Sequence, residues 1–275
     1  MLEIPEAATL ASQVNTSVKG KEITEVQAAH SPHKLAWFQG DPAEYPRLIV
    51  GKSITSARSV GGMLEISVDD IKIVFSDGAN LAFHLQDQAL PKKHQLLIRF
   101  KDTSSLTVTI QMYGGILAFR EGEGDNPYYL AALEKPSPLS DAFDRAYFNK
   151  LLSPQKIGKL SAKAFLATQQ RIPGLGNGTL QDILYNAHIH PKRKVASFTQ
   201  EEISALYESI KTTLAHMVSA GGRDTEKDLF GRVGGYRTKC SKKTVGTTCE
   251  ICSGVIEKAS YMGGSIYFCP GCQLL

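Results

Sequence analysis

Apolar residues recur at helical spacing at the start of the chain and again through its second half. Between these lies a stretch of short runs in which apolar and polar residues partly alternate. Ile4, Ala7, Ala8, Ala11, Val14 and Val18 define a helix packed along one side. Glu3-Ile4-Pro5-Glu6 suits its opening: proline is tolerated in the first turn, and carboxylates favour the positive end of the helix dipole. Gly20 ends it. Residues 22–120 read as strands: Ile23–Gln27, Ser53–Arg58, Met63–Val68, Ile71–Phe75, Leu81–Leu85, Gln95–Phe100 and Ser105–Ile110 are separated by turn residues such as Ser76-Asp77-Gly78. About eight strands behind one helix predict a two-sheet β-sandwich. Ser31–Gly40 is expected to be a longer loop, polar and aromatic.

Residues 122–138, with Gly, Asp, Asn and three prolines, form the expected linker between domains 1–121 and 139–235. Helices are then predicted over 141–148, 161–169, 180–187 and 199–214, the last opening with a Thr199/Glu202 capping box. Residues 236–275 make a third, smaller module. It reads Cys249-Glu-Ile-Cys252, sixteen residues, then Cys269-Pro-Gly-Cys272. Two such knuckles fit one tetrahedral four-thiolate zinc site, closed to substrate and therefore structural. Two disulfides are the alternative, disfavoured in a chain that opens without a signal sequence. Val255–Lys258 and Ser265–Phe268 predict a β-hairpin around a Gly263-Gly264 turn. Cys240 lies outside the pattern and is expected to be a free thiol.

No apolar run approaches the roughly 18 residues of a membrane span, so a cytoplasmic monomer without membrane contact is expected. Charge changes the picture further. The net charge of +4 divides unequally, −3 over residues 1–150 and +7 over 151–275. A basic half that also carries the zinc module points to a polyanion, although a solvated basic face would look the same. Within that half, Pro173-Gly-Leu-Gly176-Asn177-Gly178 lies between two predicted helices. A glycine-rich turn opening a helix presents N–H groups to an anion; a plain helix–helix turn is the alternative.

With these residues in view the chain resembles the formamidopyrimidine-DNA glycosylase/endonuclease VIII family over nearly its whole length. Pro173–Asn177, Ala187-His-Ile-His-Pro191, Cys269-Pro-Gly-Cys-Gln273 and Glu3-Ile-Pro5-Glu6 carry the resemblance, in the family's order. It implies an α+β multidomain fold: an N-terminal helix on a β-sandwich, then a helix–two-turn–helix domain, then a C-terminal zinc finger. It also implies double-stranded DNA, damaged or abasic, as partner, with a nucleoid location if the protein is bacterial. Lys163, Gly176 and Asn177 fall on phosphate-holding positions.

Other positions depart from the family. Its nucleophile is an N-terminal proline amine, where this chain has Met1-Leu2. Any amine here, at Met1 or Leu2, would be primary, and Glu3 and Glu6 keep the acid/base part. The family's zinc-hairpin arginine aligns with Gly264, its hairpin lysine with Gly61-Gly62, and its methionine wedge near Asp87. Its wedge segment aligns with Thr109–Gly114, keeping Met112 and Tyr113 as candidate DNA contacts and losing an arginine. The expectation is a DNA glycosylase with weak or absent strand-cleaving activity. The alternative is a non-catalytic binder of lesion-bearing or bent DNA.

Overall fold

The computed structural model describes all residues, Met1–Leu275, in two compact units. Unit 1 comprises Met1–Leu130 and Gly221–Gly235; unit 2 comprises Ala131–Ala220 and Tyr236–Leu275. The segment 221–235, expected with the helical half, therefore belongs in space to unit 1, a placement that no local pattern announces.

In unit 1, helix α1 (Ile4–Ser17) starts where Pro5 and Glu6 suggested and buries Ile4, Ala7, Leu10, Ala11 and Val14. Strands β1 (Ile23–Ala28) and β2 (Ala36–Gln39) follow, then a short helix α2 (Tyr45–Ile49). Next come β3 (Ile54–Val60), β4 (Met63–Val68), β5 (Ile71–Phe75), β6 (Ala79–His84), β7 (Leu96–Phe100), β8 (Ser105–Ile110) and β9 (Gly114–Arg120). They form a four-stranded sheet in the order β1-β7-β8-β6 and a five-stranded sheet in the order β2-β9-β5-β4-β3. Both sheets and α1 contribute to one apolar cluster, among it Val14, Ile66, Phe75, Leu96, Leu106 and Ile116. This is the expected sandwich, held together by burial that is worth about 25 cal/mol per Å² of apolar surface. Asn15 pins α1 to β3 by exchanging two hydrogen bonds with the Ala57 backbone, at 2.7 and 2.8 Å.

Two strands were not expected. β9 is buried on nearly its whole length, so it lacks the alternation that marks a half-buried strand. β2 lies within the expected loop and pairs in parallel with β9. A parallel partner across such a distance leaves no turn signal in the sequence.

Helix α3 (Pro127–Glu134) occupies part of the expected linker. In unit 2, α4 (Arg145–Leu152) begins four residues later than its expected start at 141, because Asp144 caps it by accepting from Tyr147 N. Ser161 caps α5 (Ala162–Ala167) in the same way. Helices α6 (Thr179–Asn186) and α7 (Gln200–Ser219) follow, α7 with the Thr199/Glu202 capping box formed. The hairpin is β10 (Glu257–Tyr261) with β11 (Gly264–Phe268). Its two-residue turn is Met262-Gly263, one position before the expected Gly263-Gly264. Both turn residues have positive φ, 52° and 71°, as such a tight turn needs, and Gly264 already pairs with Tyr261. No helix is long and apolar enough to cross a membrane.

Candidate functional site

The head of α1 holds a buried charge cluster. Glu3, in extended conformation, is the residue before the helix and is 4% exposed. Glu6 sits one turn on, also buried. Arg223, 2% exposed, reaches both from the returning segment. Its Nε and Nη2 donate to the two Glu6 carboxylate oxygens at 2.9 and 2.7 Å, and its Nη1 lies 3.7 Å from Glu3 Oε1. Burial by itself would lower the guanidinium pKa, but the charges of Glu3 and Glu6 outweigh it and hold it above its ordinary value. Sequence reasoning missed Arg223. An arginine after a Gly-Gly pair carries no periodic or motif signal.

The first two residues are also engaged. The Met1 ammonium pairs with the Glu226 carboxylate. Leu2 is drawn into the core, because its side chain is apolar, and its backbone N–H donates to Asp77 O at 2.6 Å. Of the four candidate catalytic residues, the structure brings Glu3 and Glu6 together on Arg223. Met1 is turned to Glu226, and Leu2 is placed in packing.

The turn carrying Met112 and Tyr113 adjoins this cluster through the backbone. Gly78 N donates to Tyr113 O at 2.9 Å, directly after Asp77. A Cβ on Gly78 would lie 1.9 Å from Gln111 O, so only glycine permits this approach. Burial, with Asp77 and Glu3 adding their charges, raises the Tyr113 pKa.

Unit 2 gathers a second set. Lys163, on α5, is buried and donates to Tyr261 O at 2.9 Å, while burial lowers its pKa. Asn177 Nδ2 donates to Ser265 O at 3.1 Å. A Cβ on Gly264 would stand 3.5 Å from Lys163 Nζ and 4.0 Å from Asn177 Nδ2. Three residues scattered over the sequence thus surround one spot, where an ammonium and an amide can meet an anion. Gly176 carries the turn, its carbonyl accepting from Leu180 N at 3.1 Å as α6 begins. Gln181, which the sequence did not single out, organises the site. Its side chain donates to Ser265 O and Asn177 Oδ1 and accepts from Tyr267 N.

The sulfurs of Cys249, Cys252, Cys269 and Cys272 all lie within 4.8 Å of one another, two pairs at 3.6 and 3.3 Å. Ligands of a tetrahedral zinc at about 2.3 Å stand roughly 3.8 Å apart, so the four fit one structural zinc ion. For Cys249, burial would raise the thiol pKa, but the Tyr185 hydroxyl and backbone N–H groups lower it to about 6. Burial and the neighbouring sulfurs shift Cys269 and Cys272 the other way, so the zinc assignment stands on the sulfur geometry. Asp182 on α6 accepts the backbone N–H groups of Lys239 and Cys240 at 2.9 and 2.8 Å, anchoring the base of the finger. Cys240 is not one of the four but is buried in the same cluster as Cys249 and Cys269, and burial pushes its thiol up.

Comparison with known proteins bears on the family and the fold. Residues 1–111 match the model of the formamidopyrimidine-DNA glycosylase N-terminal domain, and residues 135–228 that of the formamidopyrimidine-DNA glycosylase H2TH domain. The chain is 28% identical to a formamidopyrimidine-DNA glycosylase of Bacillus cereus and 29% to one of Bacillus licheniformis, with 99% of each chain covered. Among solved structures it resembles Lactococcus lactis Fpg in complex with an abasic-site DNA (TM-score 0.79, 22% identity, 99% and 100% of the two chains). It also resembles the MutM (Fpg) protein from Thermus thermophilus (TM-score 0.80, 24% identity, 98% of each chain).

Proposed function

Because this chain belongs to the formamidopyrimidine-DNA glycosylase family, we propose that it binds double-stranded DNA at damaged nucleotides and releases the damaged base by hydrolysis, with strand cleavage weak or absent. One observation carries the reading. The position where the family's resemblance calls for a proline amine is taken by a buried Leu2 whose N–H is given to Asp77, while Glu3 stays at the head of α1 beside Arg223. In the hydrolysis, water oxygen bonds to C1′ and the C1′–N bond breaks. Glu3 takes the water proton, the base leaves with the electron pair of the C1′–N bond, and the proton held on Glu3 passes to it. Arg223 Nη1 stands 3.7 Å from Glu3 Oε1, so a positive charge faces the carboxylate assigned as base. Lys163 and Asn177 would hold a backbone phosphate, with Gly264 leaving room for it. The setting we propose is the cytoplasm, with the protein acting as a monomer.

The same guanidinium favours a second reading. Carboxylates placed on a buried guanidinium can serve as its counter-charge alone, which suits a binder of abasic or damaged DNA without catalysis.

Duplexes bearing oxidised, ring-opened or abasic nucleotides distinguish the two. Under the first reading at least one duplex loses its damaged base, and Glu3→Gln slows release on the order of 100-fold or more with binding intact. Borohydride then traps no adduct with abasic DNA; a trapped adduct would mean that a primary amine reacts, and would overturn the hydrolytic assignment. Tight abasic-site binding with no base release from any duplex would establish the second reading. For the phosphate site, Lys163→Ala is expected to weaken binding to all duplexes alike and to reduce the magnitude of the salt slope by about one, measured by titration between low and moderate salt. An unchanged slope would remove Lys163 from the interface.

A further inference from the structure

Tyr185 lies near the C-terminal end of α6 and is 2% exposed. A tyrosine hydroxyl buried this deeply needs a hydrogen-bond partner. Its partner is the Cys249 sulfur at 3.1 Å, and that cysteine is buried as well. Ile251 N donates to the same sulfur at 3.4 Å. Tyr185, Cys249, Ile256 and Cys269 pack in one apolar cluster, which keeps the contact from water. Gln181 stands four residues before Tyr185 and Asn177 four before that, so the three share a face. Gln181 accepts from Tyr267 N at 3.1 Å and donates to Ser265 O at 3.2 Å, where Asn177 donates too. One face of α6 therefore grips the finger at a metal knuckle, at β11 and at the phosphate site.

The chemistry gives the contact a direction. Four thiolates outweigh the charge of one zinc ion, and burying such an anionic cluster is costly unless donors share the charge. A metal-bound thiolate has no proton to give, so the phenolic O–H is the donor. Hydrogen bonds from outside the ligand set hold metal ligands in place, and losing one costs about 10–100-fold in metal affinity. Phenylalanine would fill the same space on α6, so packing alone does not call for the hydroxyl. We propose that Tyr185 is a positioning residue for the zinc, its hydroxyl holding the Cys249 thiolate, so that α6 links retention of the metal to occupancy of the phosphate site. A phosphate on Lys163 and Asn177 would fix two side chains that also carry the hairpin. The link, though not the hydroxyl's role, rests on the DNA-binding reading above.

The rate at which the full-length zinc protein gives up its metal to excess coloured chelator is the first readout. Tyr185→Phe, which keeps the ring, is expected to release zinc on the order of tenfold faster than the parent. Ile256→Ala loosens the same cluster without removing a donor to sulfur, and serves as the packing control. Cobalt in place of zinc separates the two effects, because a thiolate that loses a donor gives up its electrons more readily. The sulfur-to-cobalt charge-transfer band should move to longer wavelength in Tyr185→Phe and stay in place in Ile256→Ala. An unmoved band or an unchanged release rate in Tyr185→Phe overturns the hydroxyl's role, as does an equal band shift in the control. Saturating tetrahydrofuran-containing duplex should slow zinc release from the parent several-fold, and less so from Asn177→Ala. Saturation without slowing overturns the link alone. Absence of saturable binding to any duplex overturns the DNA-binding reading and the link with it, and leaves the hydroxyl's role standing.

Discussion

Removing zinc from the Cys249, Cys252, Cys269 and Cys272 site with a strong chelator is expected to unfold the β10–β11 hairpin while the two-sheet sandwich of unit 1 stays folded. The finger has little else to hold it. Cys249, Ile256, Ile266 and Cys269 are its buried apolar residues, far short of an independent core. Four-thiolate zinc binding is worth about 10 kcal/mol or more near neutral pH, and in so small a module that binding energy is folding energy. The loss would spread to α5 and α6. Lys163 would lose its acceptor at Tyr261, and Asn177 and Gln181 theirs at Ser265. Metal analysis should find one zinc per chain before chelation. Limited proteolysis afterwards should cut first within residues 241–275, and DNA binding should fall with the metal content. Cys249→Ser should behave like the chelated protein. Unchanged protease resistance in the metal-free protein would mean that packing on α6 suffices and that the ion is dispensable.

Replacing Arg223 with methionine is the second large effect expected. The side chain is buried, and its loss removes the guanidinium that pairs with the buried Glu6 and stands 3.7 Å from Glu3. Breaking a buried pair by removing one partner costs about 3–5 kcal/mol, because the desolvated charge that remains is uncompensated. Glu6 loses two parallel bonds and Glu3 a neighbouring charge, which places the effect within that range. Urea unfolding followed by the emission of Trp37, in the same unit, measures it. Arg223→Lys keeps the charge but cannot span Glu6 with two parallel bonds, so an intermediate loss is expected. Adding Glu6→Gln to Arg223→Met should recover part of the stability, since the two sites share one interaction. A methionine variant within about 1 kcal/mol of the parent would show that the cluster admits water.

These effects fall on features of different legibility. The four cysteines could be read directly, since metal ligation needs particular atoms at short spacing and the chain supplies them within 24 residues. The Thr199/Glu202 capping box and the opening of α1 were legible for the same reason: a cap is satisfied within one turn. The strands that alternate were found, and the sandwich followed from their number. β9 was missed because it is buried on both faces, and β2 because its partner is parallel and distant.

The site shows the same division. Glu3 and Glu6 stood out beside a helix start, and Lys163, Asn177 and Gly264 through resemblance. Arg223, however, is 217 residues from Glu6, and Tyr185 is 64 residues from the Cys249 sulfur it meets. Local pattern thus settles the capped helices, the alternating strands and the metal knuckles, because propensity, capping and ligand spacing act within a few residues. Which charge neutralises the carboxylates, what becomes of the N-terminal amine and which hydroxyl meets a thiolate are matters of tertiary packing. Each depends on the distant segment that desolvates the group or leaves it in water.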